Sequence, residues 1–258
     1  MKILITGGNG YIARSLYKAL REDYEISLIT RKDFDLTCWA STYKFFYDKT
    51  FDIVIHTATS GGSRLKEETD SAIRENLLMY RNLLNHRDKF TKFISFGSGA
   101  ELGNPTTPYG ISKQMIADSM SSKPNFLNIR IFAVFDENEL DTRFVKSNIE
   151  RYINRENMII HGDKLMDFFY MRDLISLVDY FLQKEEWLIK DIDCRYLESY
   201  KLSEIAAMIN RLDDHKVQIE VGNSIGIDYI GTYRGLPNLL VGLEQGIKNT
   251  YNIIKQNK

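Results

Sequence analysis

Little in this sequence is in excess, and its shortages are the first guide. Only two cysteines, Cys38 and Cys194, occur in 258 residues. That is too few for a disulfide framework or a thiolate metal cluster, and it points to a reducing cytoplasm. No His/Cys/carboxylate group has metal-ligand spacing, so no metal is expected. An excess of one charge is missing as well. The 34 Lys+Arg stand against 35 Asp+Glu, a formal net charge of −1, which removes the electrostatic case for nucleic acid or an anionic membrane as a partner. No apolar run approaches the roughly 20 residues of a membrane span. The apolar opening, residues 1–5, is too short for a signal-peptide core before it meets Gly7-Gly8. Proline is limited to four residues, and Pro105, Pro108 and Pro124 bracket a single segment.

What remains is a globular composition, 43% hydrophobic and 27% charged. At about 150 residues per domain the length predicts one domain with an appendage, or two lobes. Short continuous apolar runs at 2–5, 25–29, 52–56, 92–96 and 128–134 read as strands buried on both faces. Helical spacing separates them at 11–21, 38–47, 72–85 and 110–120. This alternation predicts an α/β fold with a doubly wound parallel sheet. Tyr43, Phe45, Phe46 and Tyr47 read as core. Beyond residue 135 the alternation weakens, with helices expected at 144–155, 174–182, 202–211 and 241–254 and a strand at 168–171. The expected organisation is a dinucleotide-binding Rossmann domain over 1–135, completed by about 166–200. A small C-terminal substrate lobe would comprise about 136–165 and 201–258.

The first strand runs into Thr6-Gly7-Gly8-Asn9-Gly10-Tyr11-Ile12-Ala13. Gly7 permits a tight turn, Gly10 lets backbone approach a pyrophosphate at the start of a helix, and Ala13 allows close helix–strand packing. Asn9, Tyr11 and Ile12 lie in the same loop. At the end of the second strand, where a carboxylate would select NAD, stand Thr30, Arg31 and Lys32. These suit a 2′-phosphate and favour NADP, while Asp33 leaves NAD open.

The fourth strand ends in Ser95-Phe96-Gly97-Ser98-Gly99-Ala100, and Tyr109 and Lys113 follow at i and i+4 behind Pro108. On a helix opened by Pro108 the two share a face. An ammonium there lowers the phenol's pKa from about 10, so Tyr109 can exchange a proton, and the Ser98 hydroxyl can hold a reacting oxygen.

With these motifs in place, the sequence resembles the extended short-chain dehydrogenase/reductase superfamily (the NAD-dependent epimerase/dehydratase family). It is nearest in motif to nucleotide-sugar epimerase/reductases of the GDP-fucose synthase type. The resemblance rests on Gly7, Gly10 and Ala13; on the apolar run 54–58; on Asn76; and on Ser98, Tyr109 and Lys113. It also rests on the run 131–135, on Asp167-Phe168-Phe169-Tyr170-Met171-Arg172-Asp173, and on Leu243-Glu244-Gln245-Gly246-Ile247. The resemblance implies Ser98, Tyr109 and Lys113 as the catalytic trio. It implies further cofactor contacts from Asp35 and Leu36, from Thr57, Ala58 and Thr59, from Asn76 and Ser95, and from Ile131, Ala133 and Val134. Substrate contacts are implied for Ser60 and Gly61, for Ser98 and Gly99, and for Arg143 and Lys146. The run 59–63 and the segment 30–36 are the most like GDP-fucose synthases, which supports NADP.

The departures narrow the chemistry. Dehydratases of this branch carry Asp-Glu directly after the catalytic Ser/Thr, where this chain has Gly99-Ala100. The epimerising cysteine two residues after the serine is Ala100, and residues 143–147 offer no histidine. The arginine that grips the diphosphate is Met166, leaving Lys146, Arg143 or Arg172 as candidates. The expected activity is an NADPH-dependent ketoreductase acting on a 4-keto nucleotide sugar. An NAD-dependent C4 epimerase is the alternative, and a non-catalytic dinucleotide-binding protein a third. The resemblance also implies a homodimer through the helices at 72–85 and 110–120. Extended-branch relatives run longer, so the lobe is expected to be trimmed. His56 is expected to pack, and His161 to sit in a turn.

Overall fold

The computed structural model describes residues 1–62, 68–237 and 239–257; Ser63 of the 59–63 motif lies outside them. The chain forms two compact units, Met1–Arg130 with Asp179–Ile192, and Ile131–Val178 with Asp193–Lys258.

The first unit is built on strand–helix alternation. β1 (Lys2–Thr6) leads to α1 (Tyr11–Leu20), β2 (Glu25–Leu28), α2 (Trp39–Phe46), β3 (Phe51–His56), α3 (Ser71–Leu84), β4 (Phe90–Ser98), α4 (Pro108–Met120) and β5 (Phe126–Ile131). Among the described residues the sheet has six strands. β1, β3 and β4 carry almost unbroken apolar runs and are buried along their length, as strands covered on both faces must be. β2 departs from that pattern. Its burial alternates between exposed and half-buried because it closes one edge of the sheet, whose order is β10-β5-β4-β3-β1-β2. Pairing of β1 with β2 and β3, and of β3 with β4, is parallel. The register sets Thr6 beside His56 and His56 beside Ser95, so the carboxyl ends of three strands finish in one row. That row is where ligands bind open α/β sheets.

Two sequence expectations are corrected here. The aromatics of α2 do not all enter the core: Phe46 is buried, but Tyr43 is 47% and Tyr47 72% exposed. Trp39, Tyr43 and Tyr47 fall at four-residue spacing on the helix's outer side, and the Trp39 and Tyr43 rings stack 5.4 Å apart. The run 128–134 is not one strand. β5 ends at Ile131, and after Phe132-Ala133 the chain forms β6 (Val134–Phe135), which pairs in parallel with a different strand, β9 (Phe169–Tyr170).

The second unit continues with α5 (Phe144–Ile153), β7 (Met158–Ile160) and β8 (Leu165–Met166), then β9 and α6 (Met171–Leu182), which runs back into the first unit. After β10 (Asp191–Asp193) come β11 (Tyr200–Lys201), α7 (Leu202–Ile209), β12 (Ile219–Val221) and α8 (Leu243–Gln256). Its strands pair two by two, β11 with β8, β12 with β7 and β6 with β9. The unit therefore depends on packing of α5, α7 and α8 around Ile149, Tyr152, Ile205, Ile209, Ile247 and Tyr251. Two carboxylates of the 167–173 motif tie its loops down. Asp167 accepts from Ser199 Oγ at 2.5 Å and Gly231 N at 2.8 Å. Asp173, fully buried, accepts from Val241 N at 2.7 Å and Gly242 N at 2.9 Å, and from the Tyr196 hydroxyl. Among the described residues no helix is long and apolar enough to cross a membrane.

Candidate active site

The glycine loop closes on itself and on the next strand. Gly10 N donates to Gly7 O at 2.8 Å, and Gly8 N to Ile29 O at 2.7 Å. Gly7 adopts φ +72°, and a Cβ there would sit 2.7 Å from Ala58 N. The position therefore requires glycine twice over, for conformation and for space. α1 begins at Gly10 with no side-chain cap and no acidic residue in its first turn. Its leading N–H groups and positive dipole end are thus left to an anion.

Beside this loop opens a cavity of about 620 Å³, within the usual range for ligand pockets. Of the sequence-predicted cofactor residues, Gly7, Asn9, Gly10, Thr30, Arg31, Asp35, Leu36, Thr57, Ala58 and Thr59 line it, as do Ser60 and Gly61. Lys32 is exposed on the adjoining turn, and Tyr11 and Ile12 are half-buried in the first turn of α1. The uncapped helix, the glycine cradle and this cavity together fit a dinucleotide.

The turn after β2 is self-satisfied. Asp33 Oδ2 accepts from Thr30 N at 2.7 Å and Thr30 Oγ1 at 2.8 Å, and these bonds hold its carboxyl below the usual range. Asp35 Oδ1 likewise accepts from Thr37 N and Oγ1 at 2.9 and 2.8 Å. Arg31 and Lys32, inside the Thr30–Asp33 turn, stand exposed.

β4 carries Ser95 and Ser98 to the carboxyl end of the sheet, both buried. Ser98 Oγ accepts from Ala100 N at 3.2 Å, closing a short 3-10 turn over Gly99–Glu101. Pro108 occupies the first turn of α4, where its missing N–H costs nothing, and Thr107 caps Gly110 N at 3.1 Å. Tyr109 is thereby placed at the helix entrance, half-buried, with its ring in contact range of a Cβ at Gly62. One turn on, Lys113 is buried. Its Nζ donates to Phe96 O at 2.7 Å and lies 5.6 Å from the centre of the Tyr109 ring. Burial lowers its pKa to about 8. His56 is also buried, shares a hydrogen bond of 2.9 Å with Thr6 Oγ1, and burial pushes its pKa down to about 3. It is a neutral packed residue.

Several residues hold this arrangement, and of them sequence reasoning had named only Asn76. Glu68 joins two loops, accepting from Gly62 N at 2.8 Å and Tyr109 N at 3.1 Å. Asn76 accepts from Ser60 N at 2.7 Å and donates to Ser60 O at 2.9 Å and to Ser112 Oγ at 2.8 Å. Ser112 passes on to Tyr109 O at 2.8 Å. Asn76 thus links the 59–60 loop to the Tyr109 helix. Glu101 is buried against Asn128 and Arg130. An acid near a helix start is a recognisable local signal for Glu68. For Glu101 the four-residue span from Ser98 is the spacing of a capping box, a local signal; for Ser112 no local signal exists.

The remaining candidates fall in the second unit. Ile131 ends β5, Ala133 O accepts from Phe169 N at 2.8 Å, and Val134 lies in β6. Arg143 is exposed at the N-cap of α5. Lys146 Nζ pairs with Asp141 at 2.7 Å and donates to Glu139 O at 3.0 Å. Among the described residues no group of three His, Cys, Asp or Glu could hold a metal ion.

Fold and site together define a Rossmann-type dinucleotide-binding protein with a serine at the end of β4 and a tyrosine and a lysine on the first two turns of α4. The sequence profile of the NAD dependent epimerase/dehydratase family matches residues 3–191, and the chain belongs to that family. It is similar to a CDP-abequose synthase of Yersinia pseudotuberculosis, 21% identical over 249 residues that cover 86% of this chain and 88% of that protein. Two solved structures share its fold. UDP-glucose 4-epimerase of Thermotoga maritima with UDP-glucose superposes with a TM-score of 0.82 at 17% identity, covering 100% of this chain and 99% of that one. A GDP-mannoheptose C4 reductase of Campylobacter jejuni with NADP bound superposes with a TM-score of 0.76 at 17% identity, covering 98% of each.

Proposed function

We propose that the protein is an NADPH-dependent ketoreductase acting on a 4-keto sugar carried by a nucleotide. The observation that carries this reading is the Ser98 turn: it brings a hydroxyl to the end of β4 while Gly99 and Ala100 supply no carboxylate for chemistry at ring carbons. The chemistry left to the trio is proton exchange at an oxygen. NADPH, when bound, supplies the hydride that reduces the ketone carbon. Ser98 donates a hydrogen bond to the ketone oxygen, and Tyr109 gives that oxygen its proton. The buried ammonium of Lys113 stabilises the phenolate that remains.

NADP is favoured over NAD by the turn after β2. The carboxylates of Asp33 and Asp35 are occupied by Thr30 and Thr37, while Arg31 borders the cavity and Lys32 is exposed beside it. A guanidinium pairs with a phosphate better than with ribose hydroxyls. The fold neighbours include a C4 reductase with NADP bound and 4-epimerases with NAD bound, so the preference for NADP rests on the turn. Lys146 is committed to Asp141, so Arg143 is the freer candidate for the diphosphate. The reading includes a homodimer through α3 and α4, on which Ile111 is half-buried and Met115 exposed.

The test combines NADPH oxidation with CDP-, GDP-, UDP- and dTDP-linked 4-keto sugars and a thermal-shift panel of NADPH, NADP, NADH and NAD. A ligand bound only by the folded state raises stability by RT ln(1 + [L]/Kd). The expected result is stabilisation by NADPH above NADH and NADPH consumption with one of the sugars. Protein that purifies with NAD and interconverts C4 epimers without added cofactor would establish the epimerase instead. Absence of both activities, with Tyr109→Phe leaving the cellular phenotype intact, would leave a non-catalytic protein.

A further inference from the structure

Glu101 stands three residues after Ser98, just beyond the two positions where dehydratases carry their acids. It is 3% exposed, and its carboxylate turns inward toward β5. Oε2 accepts from Ser98 N at 3.0 Å. Oε1 accepts from Asn128 Nδ2 at 2.7 Å and from Arg130 Nε at 2.7 Å. Arg130 in turn lies 3.6 Å from Asp191 Oδ1. Space for the carboxylate is made by a glycine: a Cβ on Gly97 would fall 2.6 Å from Glu101 Oε2 and 2.6 Å from Asn128 Oδ1.

We infer that Glu101 is a positioning residue, acting through Ser98. It grips the Ser98 backbone N–H from below while Ala100 N–H grips the Ser98 oxygen from above, a reciprocal cap across one turn. A hydroxyl that accepts one N–H in this way presents its own proton in a defined direction, which preorganised donation to a developing charge requires. The ion pair is not needed for burial. Taking both charges out of water is costly, and an apolar pair of similar size commonly serves stability as well or better. What an apolar pair cannot do is accept the Ser98 N–H. With three donors already on it, the carboxylate is committed to the turn and is not an acid for carbon chemistry. The inference rests on the reductase reading for its catalytic consequence, though not for its geometry.

The deciding protein is the double variant Glu101→Leu with Arg130→Met, which removes both charges of the 2.7 Å pair together; Asp191, which loses Arg130, has a side chain 30% exposed. Glu101→Gln is the second variant, and each is also made with Ser98→Ala. The expected result for the double variant is a Tm at or above that of the parent and NADPH binding within twofold. Its kcat should be about tenfold lower or less still, and amide exchange should be faster in the peptide covering 96–103 than in the parent, with residues 7–12 unchanged. In the Ser98→Ala background neither change at 101 should lower kcat by more than a further twofold, because the effect passes through the same hydroxyl. Equal losses of kcat with and without Ser98 would mean that Glu101 acts otherwise than through Ser98, as by its attraction for the buried Lys113 ammonium, and would overturn the inference. So would parental kcat or parental exchange at 96–103 in the folded double variant. If the parent turns over no 4-keto nucleotide sugar, the reductase reading fails, and the exchange comparison alone decides whether Glu101 holds the turn.

Discussion

Lys113 Nζ donates to the main-chain carbonyl of Phe96 at 2.7 Å, joining the second turn of α4 to β4 two residues before Ser98. The bond fixes the ammonium in the protein interior, and burial brings its pKa down to about 8. The charge that supports Tyr109 is therefore lost in a range where enzymes are readily assayed. We expect kcat/KM to fall as pH rises through about 8. Lys113→Arg should carry that limb to higher pH, because a guanidinium stays protonated. Lys113→Met should abolish the limb and lower kcat by about 100-fold or more. A pH–rate profile at saturating NADPH measures each, and an unchanged limb in Lys113→Arg would assign it to another group.

Arg31→Ala tests cofactor choice. The exposed guanidinium borders the cavity while the nearby carboxylates are engaged within the turn. Loss of a charge-assisted pair with a 2′-phosphate should weaken NADPH about tenfold or more and leave NADH within twofold. Fluorescence titration of both nucleotides gives the ratio. Equal weakening of the two would point to the shared pyrophosphate instead.

His56 makes stability depend on pH in a definite direction. Its folded pKa is about 3, against about 6.5 in an unfolded chain. Between those values the unfolded state takes up a proton that the folded state refuses. The contribution is therefore complete above about pH 6.5 and is lost as pH falls, at about 1.4 kcal/mol per unit. Urea unfolding of the parent and of His56→Gln at pH 7.5 and 5.5 should show the gap between them narrow by about 1 kcal/mol at the lower pH. Parallel curves would refute it.

Asp173→Ala should be costly. Its carboxylate is fully buried and receives the N–H groups of Val241 and Gly242 at 2.7 and 2.9 Å, just ahead of α8. Removing it leaves those donors unpaired along with the Tyr196 hydroxyl, a loss of about 2–4 kcal/mol. Proteolysis should then begin in the segment before α8. Wild-type stability with intact protection there would show that water replaces the carboxylate at no cost.

Much of this molecule is written in short-range pattern. The continuous apolar runs of β1, β3 and β4, the glycine loop with its demand at Gly7, Pro108 at the head of α4 and the four-residue step from Tyr109 to Lys113 depend on neighbours within about one helical turn or one strand. Local sterics and periodicity are sufficient to read such features. What escaped reading is the pairing of residues far apart in the chain, even where one of the two, as Asn76 or Asp173, stands in a legible motif. Glu101 is set by Asn128, 27 residues on; Asn76 by Ser112, 36 residues on; and Asp173 by Gly242, 69 residues on. No periodicity records such pairs, because their cost and benefit arise when folding brings them out of water together. The outward side of α2 and the break after Ile131 belong with them. An aromatic at helical spacing is consistent with core or surface, and an apolar run with one strand or two, until neighbouring elements take their places.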